Sequence, residues 1–250
     1  MDLEEYEKLD PFITVDSPQG PVQFSTPNAA TAWRVGTLFT KEPDTIEWIA
    51  GFEPEAVLID IGANVGMYTI WAAKTRGTKV FAFEPESQNY AVLNRNIVRN
   101  GVGDLVIAYC ASLSDKAEFG QLRLSEFRIG SSVHQFSAYG DSQRKQGAYY
   151  QGSYSSTLDT LVSDGLLPIP DHVKIDVDGI EPKIVRGAQQ TFANPKVKSV
   201  LIEVDTRIDD HWNMVDLMLA LGFDYAHDQV EQAQRKEGPF KGVGNYVFRR

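Results

Sequence analysis

Val57-Leu58-Ile59-Asp60-Ile61-Gly62-Ala63-Asn64-Val65-Gly66 is the stretch that decides how this chain is read. Its first five residues are a short, β-branched apolar run ending at a glycine, the pattern of a strand buried on both faces. Met67 to Lys74 then have helical character and stop near Gly77. A strand, a glycine turn and a helix together leave backbone N–H groups free at the helix start, where a ligand can be received. Gly62 allows the sharp turn, and Gly66 lets a ligand or the sheet come close to the helix start. Asn64 stands where many such turns carry glycine. Asparagine tolerates left-handed backbone better than most residues, so the turn survives.

Outward from this unit the same alternation repeats. Lys79–Phe83 reads as a second strand, and Tyr90, Leu93 and Ile97 recur at helical spacing up to a C-cap at Asn100-Gly101. Leu105–Tyr109, His172–Asp176 and Ser199–Val204 read as further strands, with a helix after the fourth whose early Pro182 suits a first turn. Asp210–Leu221 reads as a helix ended by Gly222, and Phe223–Ala226 and Asn245–Phe248 supply two last strands. Strands alternating with helices predict an α/β fold, a doubly wound, mostly parallel sheet with helices on both faces.

Two regions break the rhythm. Residues 1–45 are interrupted by prolines and read as an irregular N-terminal arm or short helices, ahead of a main domain over residues 46–250. Residues 117–156 read as a variable insertion. Its part from 130 to 156 is rich in Gly, Ser, Gln and Tyr, including Tyr139, Tyr149, Tyr150 and Tyr154. This is either a linker or a loop or hairpin covering a site. Ser156-Thr157-Leu158-Asp159 resembles a capping box opening another helix.

Composition excludes several classes. With 24 Lys+Arg against 34 Asp+Glu the formal charge is 24 − 34 = −10, and a chain of that sign lacks the field that nucleic acid or an anionic membrane needs. No apolar run reaches membrane-spanning length. The acidic opening Met1-Asp2-Leu3-Glu4-Glu5 is unlike a secretory signal. Cys110 is the single cysteine, so an internal disulfide and a cysteine-type metal cluster are excluded. The reading is a soluble, cytoplasmic protein, and at 250 residues about 70 % of its unfolded surface can be buried in one large core.

A dinucleotide fingerprint needs glycine at three places, and from Gly62 this chain supplies Asn64 and Met67 at the second and third. A cofactor without a pyrophosphate needs less backbone room, and S-adenosylmethionine (SAM) is the candidate. Glu84 supports it. It closes the second strand 24 residues after Asp60, where a carboxylate can accept from two ribose hydroxyls. The plain alternatives are a turn that only joins strand to helix, and an acid that is only solvated.

These residues resemble the FkbM family of SAM-dependent methyltransferases. The likeness is carried by the glycine turn, by Phe83-Glu84-Pro85 and by Lys174-Ile175-Asp176-Val177-Asp178-Gly179-Ile180-Glu181. It continues through Thr157-Leu158-Asp159, Arg186-Gly187-Ala188 and Ile202-Glu203, and spans residues 40–248 in consistent order. Asp178 departs from the family, in which many members carry Glu. The resemblance implies a seven-stranded class I methyltransferase sheet with its last strand antiparallel, and O-methylation of a sugar or small-molecule hydroxyl. It places Asp60, Gly62, Asn64 and Gly66 around the methionine part of SAM, Glu84 on the ribose, and Ala111 and Ser112 beside the adenine. Glu42-Pro43-Asp44-Thr45 resembles an upstream segment that closes over the cofactor.

Asp176, Asp178 and Glu181 fall at the carboxyl end of the fourth strand, the edge at which open α/β sheets bind ligands. Acids there can attract a sulfonium, orient an acceptor hydroxyl, or hold a divalent metal with Glu203 and Asp205; helix-dipole pairing is the plain use of Asp178 and Glu181. The spacing defines no ligand set, so no metal is assigned. Asp176 is the catalytic candidate. Among the histidines, His172 falls at the opposite sheet edge and reads as structural, His134 sits by the variable loop, and His211 lies nearer the cleft as a second catalytic candidate. The competing classes are a nicotinamide-dependent oxidoreductase, which Asn64 and Met67 disfavour, and a SAM-binding module without catalysis. The acceptor is read as a small molecule or carbohydrate; its identity and the oligomeric state are not legible.

Overall fold

The computed structural model describes residues 1–138 and 148–250. Tyr139 therefore lies outside the described residues. The chain opens with α1 (Leu3–Glu7), a hairpin of β1 (Phe12–Val15) and β2 (Val22–Ser25), α2 (Ala29–Gly36) and α3 (Pro43–Ala50). The first half of the main sheet follows as β3 (Val57–Ile61), α4 (Met67–Arg76), β4 (Lys79–Phe83), α5 (Ser87–Asn100) and β5 (Val106–Tyr109). Next come β6 (Ser112–Leu113), β7 (Glu118–Leu124), β8 (Gln135–Ala138) and β9 (Tyr149–Ser156). The second half runs α6 (Leu158–Ser163), β10 (His172–Ile175), α7 (Glu181–Arg186), α8 (Gln189–Ala193), β11 (Ser199–Asp205) and α9 (Asp209–Ala220). It closes with β12 (Asp224–Tyr225), α10 (His227–Ala233) and β13 (Val243–Arg249).

Seven strands form the main sheet in the order β12-β13-β11-β10-β3-β4-β5, with β13 antiparallel to its neighbours and β11, β10, β3, β4 and β5 mutually parallel. Every residue of β3 is buried, because alternate side chains feed two cores. Leu58 packs with Ile70, Leu93 and Trp48 from α4, α5 and α3. Ile59 and Ile61 pack on the other face with Ile184, Phe192 and Met214 from α7, α8 and α9. The doubly wound reading holds. Strand order reverses between β3 and β10, so the ligand crevice is expected at their carboxyl ends.

Three expectations change in detail. β10 ends at Ile175 and β4 at Phe83, so Asp176 and Glu84 are the first residues beyond their strands rather than the last within them. The capping residue of α6 is Thr157, whose hydroxyl accepts from the Thr160 N–H; Asp159 instead accepts from the backbone of Gln190 and Thr191. The first 45 residues contain a hairpin that the sequence pattern does not announce. Val22 and Phe24 of β2 are buried in the α4–α5 core. The free edge of β2 docks on two buried asparagines of α5: Asn96 accepts the Ser25 N–H at 2.7 Å and Asn100 that of Gln23 at 2.8 Å. Side-chain amides there stand in for a third strand.

The insertion strands β7, β8 and β9 join β6, which precedes them, in a further sheet of order β6-β9-β7-β8. Leu122 and Phe136 from it pack together and close one side of the crevice. Among the described residues no helix is long and apolar enough to cross a membrane.

Candidate active site

The glycine turn is shaped more by the protein than by a ligand. Gly62 has φ 85°, and a Cβ built on it would lie 1.9 Å from the Asp176 carbonyl oxygen. Only glycine lets the ends of β3 and β10 approach so closely. Gly66 has φ 84°, and its Cβ would meet Leu93 Cδ1 at 2.4 Å. Gly66 therefore seats α4 on α5 and does not line the crevice. Asn64 has φ 51°, the left-handed conformation expected of it. Its side chain bonds the Ser131 carbonyl (2.8 Å) and the Val65 N–H (3.0 Å), tying the turn to the insertion.

The backbone N–H of Asn64 points elsewhere and donates to Glu84 Oε2 at 2.8 Å, while Glu86 N–H donates to Oε1 at 3.0 Å. Glu84 is 5 % exposed, and burial pushes its carboxyl up to about 7. A cavity of about 470 Å³ opens beside it, within the range of small-molecule sites. Gly62, Asn64, Glu84, Ala111 and Ser112 all line this cavity, together with the apolar Phe83 and Phe136. Each carboxylate oxygen has lone-pair capacity beyond its one backbone donor, enough for two vicinal hydroxyls. A buried acid beside an apolar slot of this size fits the ribose and adenine of SAM.

Asp60 does not reach the cavity. It is 1 % exposed, its Oδ2 accepts from Thr69 Oγ1 at 2.5 Å, and among the described residues its Oδ1 has no hydrogen-bond partner. Burial pushes its carboxyl up. Parallel pairing places it directly opposite Lys174, a lysine only 2 % exposed, whose Nζ lies 5.3 Å from the centre of the Tyr68 ring. Lys174 in turn donates to Asp176 Oδ2 at 2.9 Å. Burial alone would raise the Asp176 carboxyl, but the Lys174 ammonium outweighs it and holds the acid well below its usual value. Asp176 lines the cavity with its side chain 23 % exposed. It stays charged at working pH, which makes it a strong hydrogen-bond acceptor and a weak base.

The loop after Asp176 is held in place by two more acids. Asp178 occupies left-handed backbone (φ 62°) and accepts the Val133 N–H at 2.7 Å. Glu181, 1 % exposed, accepts from the N–H groups of Val177 and Gly179. Burial raises the carboxyls of both, that of Glu181 to about 7. Asp178 faces the cavity, and Glu181 does not line it. Of the other acids read as metal partners, Glu203 pairs with Arg235 at 3.1 Å and Asp205 with Arg207 at 2.7 Å.

The histidines separate clearly. His172 stacks on Phe52 (3.9 Å between centroids) and bonds Ser199, well away from the cavity. His211, proposed from sequence as a catalytic group, is 3 % exposed and does not line the cavity. Its Nδ1 accepts the Asp205 N–H at 3.0 Å, and its Nε2 lies 3.7 Å from Glu181. The start of α9 folds it behind the Asp176 loop, and burial lowers its proton affinity. His134 does line the cavity. Its Nδ1 accepts the Ser125 N–H at 3.2 Å, which leaves the neutral ring's proton on a buried Nε2 without a hydrogen-bond partner among the described residues.

Sequence reasoning missed the outer wall. Trp33 and Arg34 from α2, Lys41 before α3, and Arg235 and Phe240 between α10 and β13 all line the cavity. No local pattern announces them, since long-range packing alone brings the three segments together. Glu42, read as part of a closing segment, has its side chain 5 % exposed between Lys41 and Arg235 and does not line the cavity.

Comparison with known proteins agrees with this architecture. The model of the methyltransferase FkbM domain matches residues 60–225, well over half of the chain, and displaces the oxidoreductase reading. The hexuronic acid methyltransferase AglP of Haloferax volcanii is 28 % identical over 190 residues, covering 75 % of this chain and 72 % of that protein. Methyltransferase sdnD of Sordaria araneosa is 27 % identical over 210 residues, covering 74 % and 80 %. Among solved structures, methyltransferase FkbM from Methylobacillus flagellatus KT superposes with a TM-score of 0.53 at 14 % identity. That match covers 79 % of this chain, which spans 44 % of the larger protein, and it speaks to the fold alone.

Proposed function

The chain belongs to the FkbM methyltransferase family, and we propose that it transfers a methyl group from SAM to a hydroxyl of a sugar or other small molecule. The observation that carries the cofactor is Glu84, a buried carboxylate fixed by two backbone N–H groups beside a cavity at the sheet's reversal point. When bound, SAM supplies an electrophilic methyl on a sulfonium, and the protein's share is to position and desolvate. Glu84 holds the ribose, Ala111 and Ser112 border the adenine, and Gly62 and Asn64 line the methionine end. Asp60 and Gly66 support the turn from behind.

Asp176 accepts the acceptor's hydroxyl hydrogen and so aims an oxygen lone pair at the methyl. Lys174 keeps it charged for that purpose. The hydroxyl's one proton leaves along the hydrogen bond to Asp176 as the oxygen is methylated, and Asp178, with the higher proton affinity of the two cavity acids, takes it on from Asp176. A sugar acceptor is supported by the hexuronic acid methyltransferase among the relatives. The net charge of −10 favours a small acceptor over nucleic acid.

The deciding experiment measures SAM and NAD binding by calorimetry and S-adenosylhomocysteine (SAH) release over a panel of sugar and small-molecule acceptors, with and without EDTA. SAM binding with acceptor-dependent release supports the reading. Binding without release by any acceptor identifies a non-catalytic module, and NAD binding without SAM binding overturns it.

A further inference from the structure

Three cations give the cavity's outer wall a sign opposite to that of the molecule. Arg34, Lys41 and Arg235 come from segments far apart in sequence and line one cavity in a chain of net charge −10. Arg34 is held through Nε, which donates to the Gly130 carbonyl at 2.7 Å, and among the described residues its guanidinium has no carboxylate in ion-pair range. Lys41 and Arg235 share one buried carboxylate, that of Glu42. Arg235 also meets Glu203 at 3.1 Å. Even with Glu42 and Glu203 both charged, three cations face two fixed carboxylates, and Arg34 is the one left over.

Its position is specific too. Arg34 and Lys41 line a small recess together with Gly62, Asn64 and Asp176, so the cations border the acid that orients the acceptor. Flanking them on the main cavity, Trp33 is 56 % and Phe240 45 % exposed, and the Arg235 guanidinium lies 5.3 Å from the centre of the Phe240 ring. Large exposed aromatics beside charged groups suit a sugar, whose ring has an apolar face and polar edges.

Resting on the methyl-transfer reading above, we propose that Arg34, Lys41 and Arg235 form a subsite for a carboxylate on the acceptor, next to the hydroxyl that is methylated. A guanidinium fork matches a carboxylate in two parallel hydrogen bonds, and Lys41 adds a point charge. The acceptor is thus an acidic sugar or an acid of similar size.

The test titrates SAH-saturated protein by calorimetry with three probes: methyl β-D-glucuronide, methyl β-D-glucoside and methyl β-D-glucoside 6-phosphate. The glucuronide is expected to bind at least about tenfold tighter than the glucoside. That preference should shrink in 0.5 M NaCl and vanish in Arg34→Gln and Lys41→Met, with partial return in Arg34→Lys and unchanged SAH affinity throughout. Equal binding of glucuronide and glucoside, or binding of none of the three to protein that holds SAH, overturns the subsite. Tighter binding of the phosphate than of the glucuronide overturns the carboxylate assignment. Failure to bind SAH strikes the cofactor reading instead, so the two failures are distinguishable.

Discussion

Glu84 makes cofactor affinity depend on pH in a way that can be worked out in advance. Its carboxyl is pushed up to about 7 by burial, so below neutrality the empty site is mostly protonated. A protonated carboxyl has lost part of its capacity to accept from two ribose hydroxyls, so SAM selects the ionised form. With a pKa near 7 about 3 % of sites are ionised at pH 5.5 and about 76 % at pH 7.5. Affinity should therefore rise about 25-fold across that window, roughly 1.9 kcal/mol. The window closes at pH 7.5 because an α-amino group, such as that of SAM, titrates near 8. Glu84→Gln should bind about 2–4 kcal/mol more weakly at pH 7.5 and show a flat profile. Glu181 provides the control. Its carboxyl is also raised to about 7, but it does not line the cavity, so Glu181→Gln should keep the wild-type slope. Calorimetry at pH 5.5, 6.5 and 7.5 on the three proteins decides the matter. A flat wild-type profile, or an unchanged slope in Glu84→Gln, refutes the ribose assignment.

Other expectations follow from the same geometry. Asp176→Asn should lower turnover at least about a hundredfold, roughly 2.7 kcal/mol of barrier, with SAM affinity nearly unchanged; near-normal turnover in folded mutant protein would remove Asp176 from the chemistry. Gly62→Ala places a Cβ 1.9 Å from the Asp176 carbonyl and should cost at least about 3 kcal/mol in urea unfolding, whereas Gly77→Ala, with open space around it, should cost about 1 kcal/mol. Equal costs at the two positions would show that backbone conformation, not the approach of β10, explains Gly62. His211→Gln should lower the melting temperature and leave kcat within a few-fold, and a hundredfold loss would restore His211 as a catalytic group. A raised carboxyl means that the native state binds more protons than the unfolded state between about pH 4.5 and 7. The stability Glu181 contributes is therefore full below about 4.5 and lost as pH rises through 7, about 3 kcal/mol in all. Glu181→Gln should remove that share of the decline in urea-measured stability between pH 5 and 8.

What could be read from the sequence divides along physical lines. Local patterns transferred well: the apolar run at residues 57–61 is a buried strand because both of its faces meet helices, and Asn64 takes the left-handed turn that its side chain permits. The glycine roles transferred only in part. The sequence says that Gly62 and Gly66 need freedom, but not that the crowding atoms are the Asp176 carbonyl and Leu93. The hairpin at residues 12–25 was hidden because part of what holds it is a pair of asparagines of α5, residues that look like helix surface. Arg34, Lys41 and Arg235 were hidden for a stronger reason, since their convergence exists only after three segments have packed.

Lys174 shows where that boundary falls. Its spacing from Asp176 is visible in the sequence, and two residues along an extended chain do put side chains on one face. The third member of the group is not visible, because Asp60 meets Lys174 only through the register between β3 and β10. That register changes the chemistry. A lysine exposed to water would leave Asp176 near its ordinary proton affinity and free to serve as a base. Buried between two acids, the ammonium cannot lose its proton cheaply, and it keeps Asp176 ionised and weakly basic. Removing the lysine should therefore raise the Asp176 carboxyl toward its ordinary value, because burial would then be opposed only by the lesser effects of Lys41 and Arg34. Lys174→Met, if folded, should lose turnover at low pH and recover part of it as pH rises and Asp176 ionises, while SAM affinity follows the Glu84 profile unchanged. A turnover loss independent of pH would mean that Lys174 acts only on stability, and the pairing would have no part in orienting the acceptor.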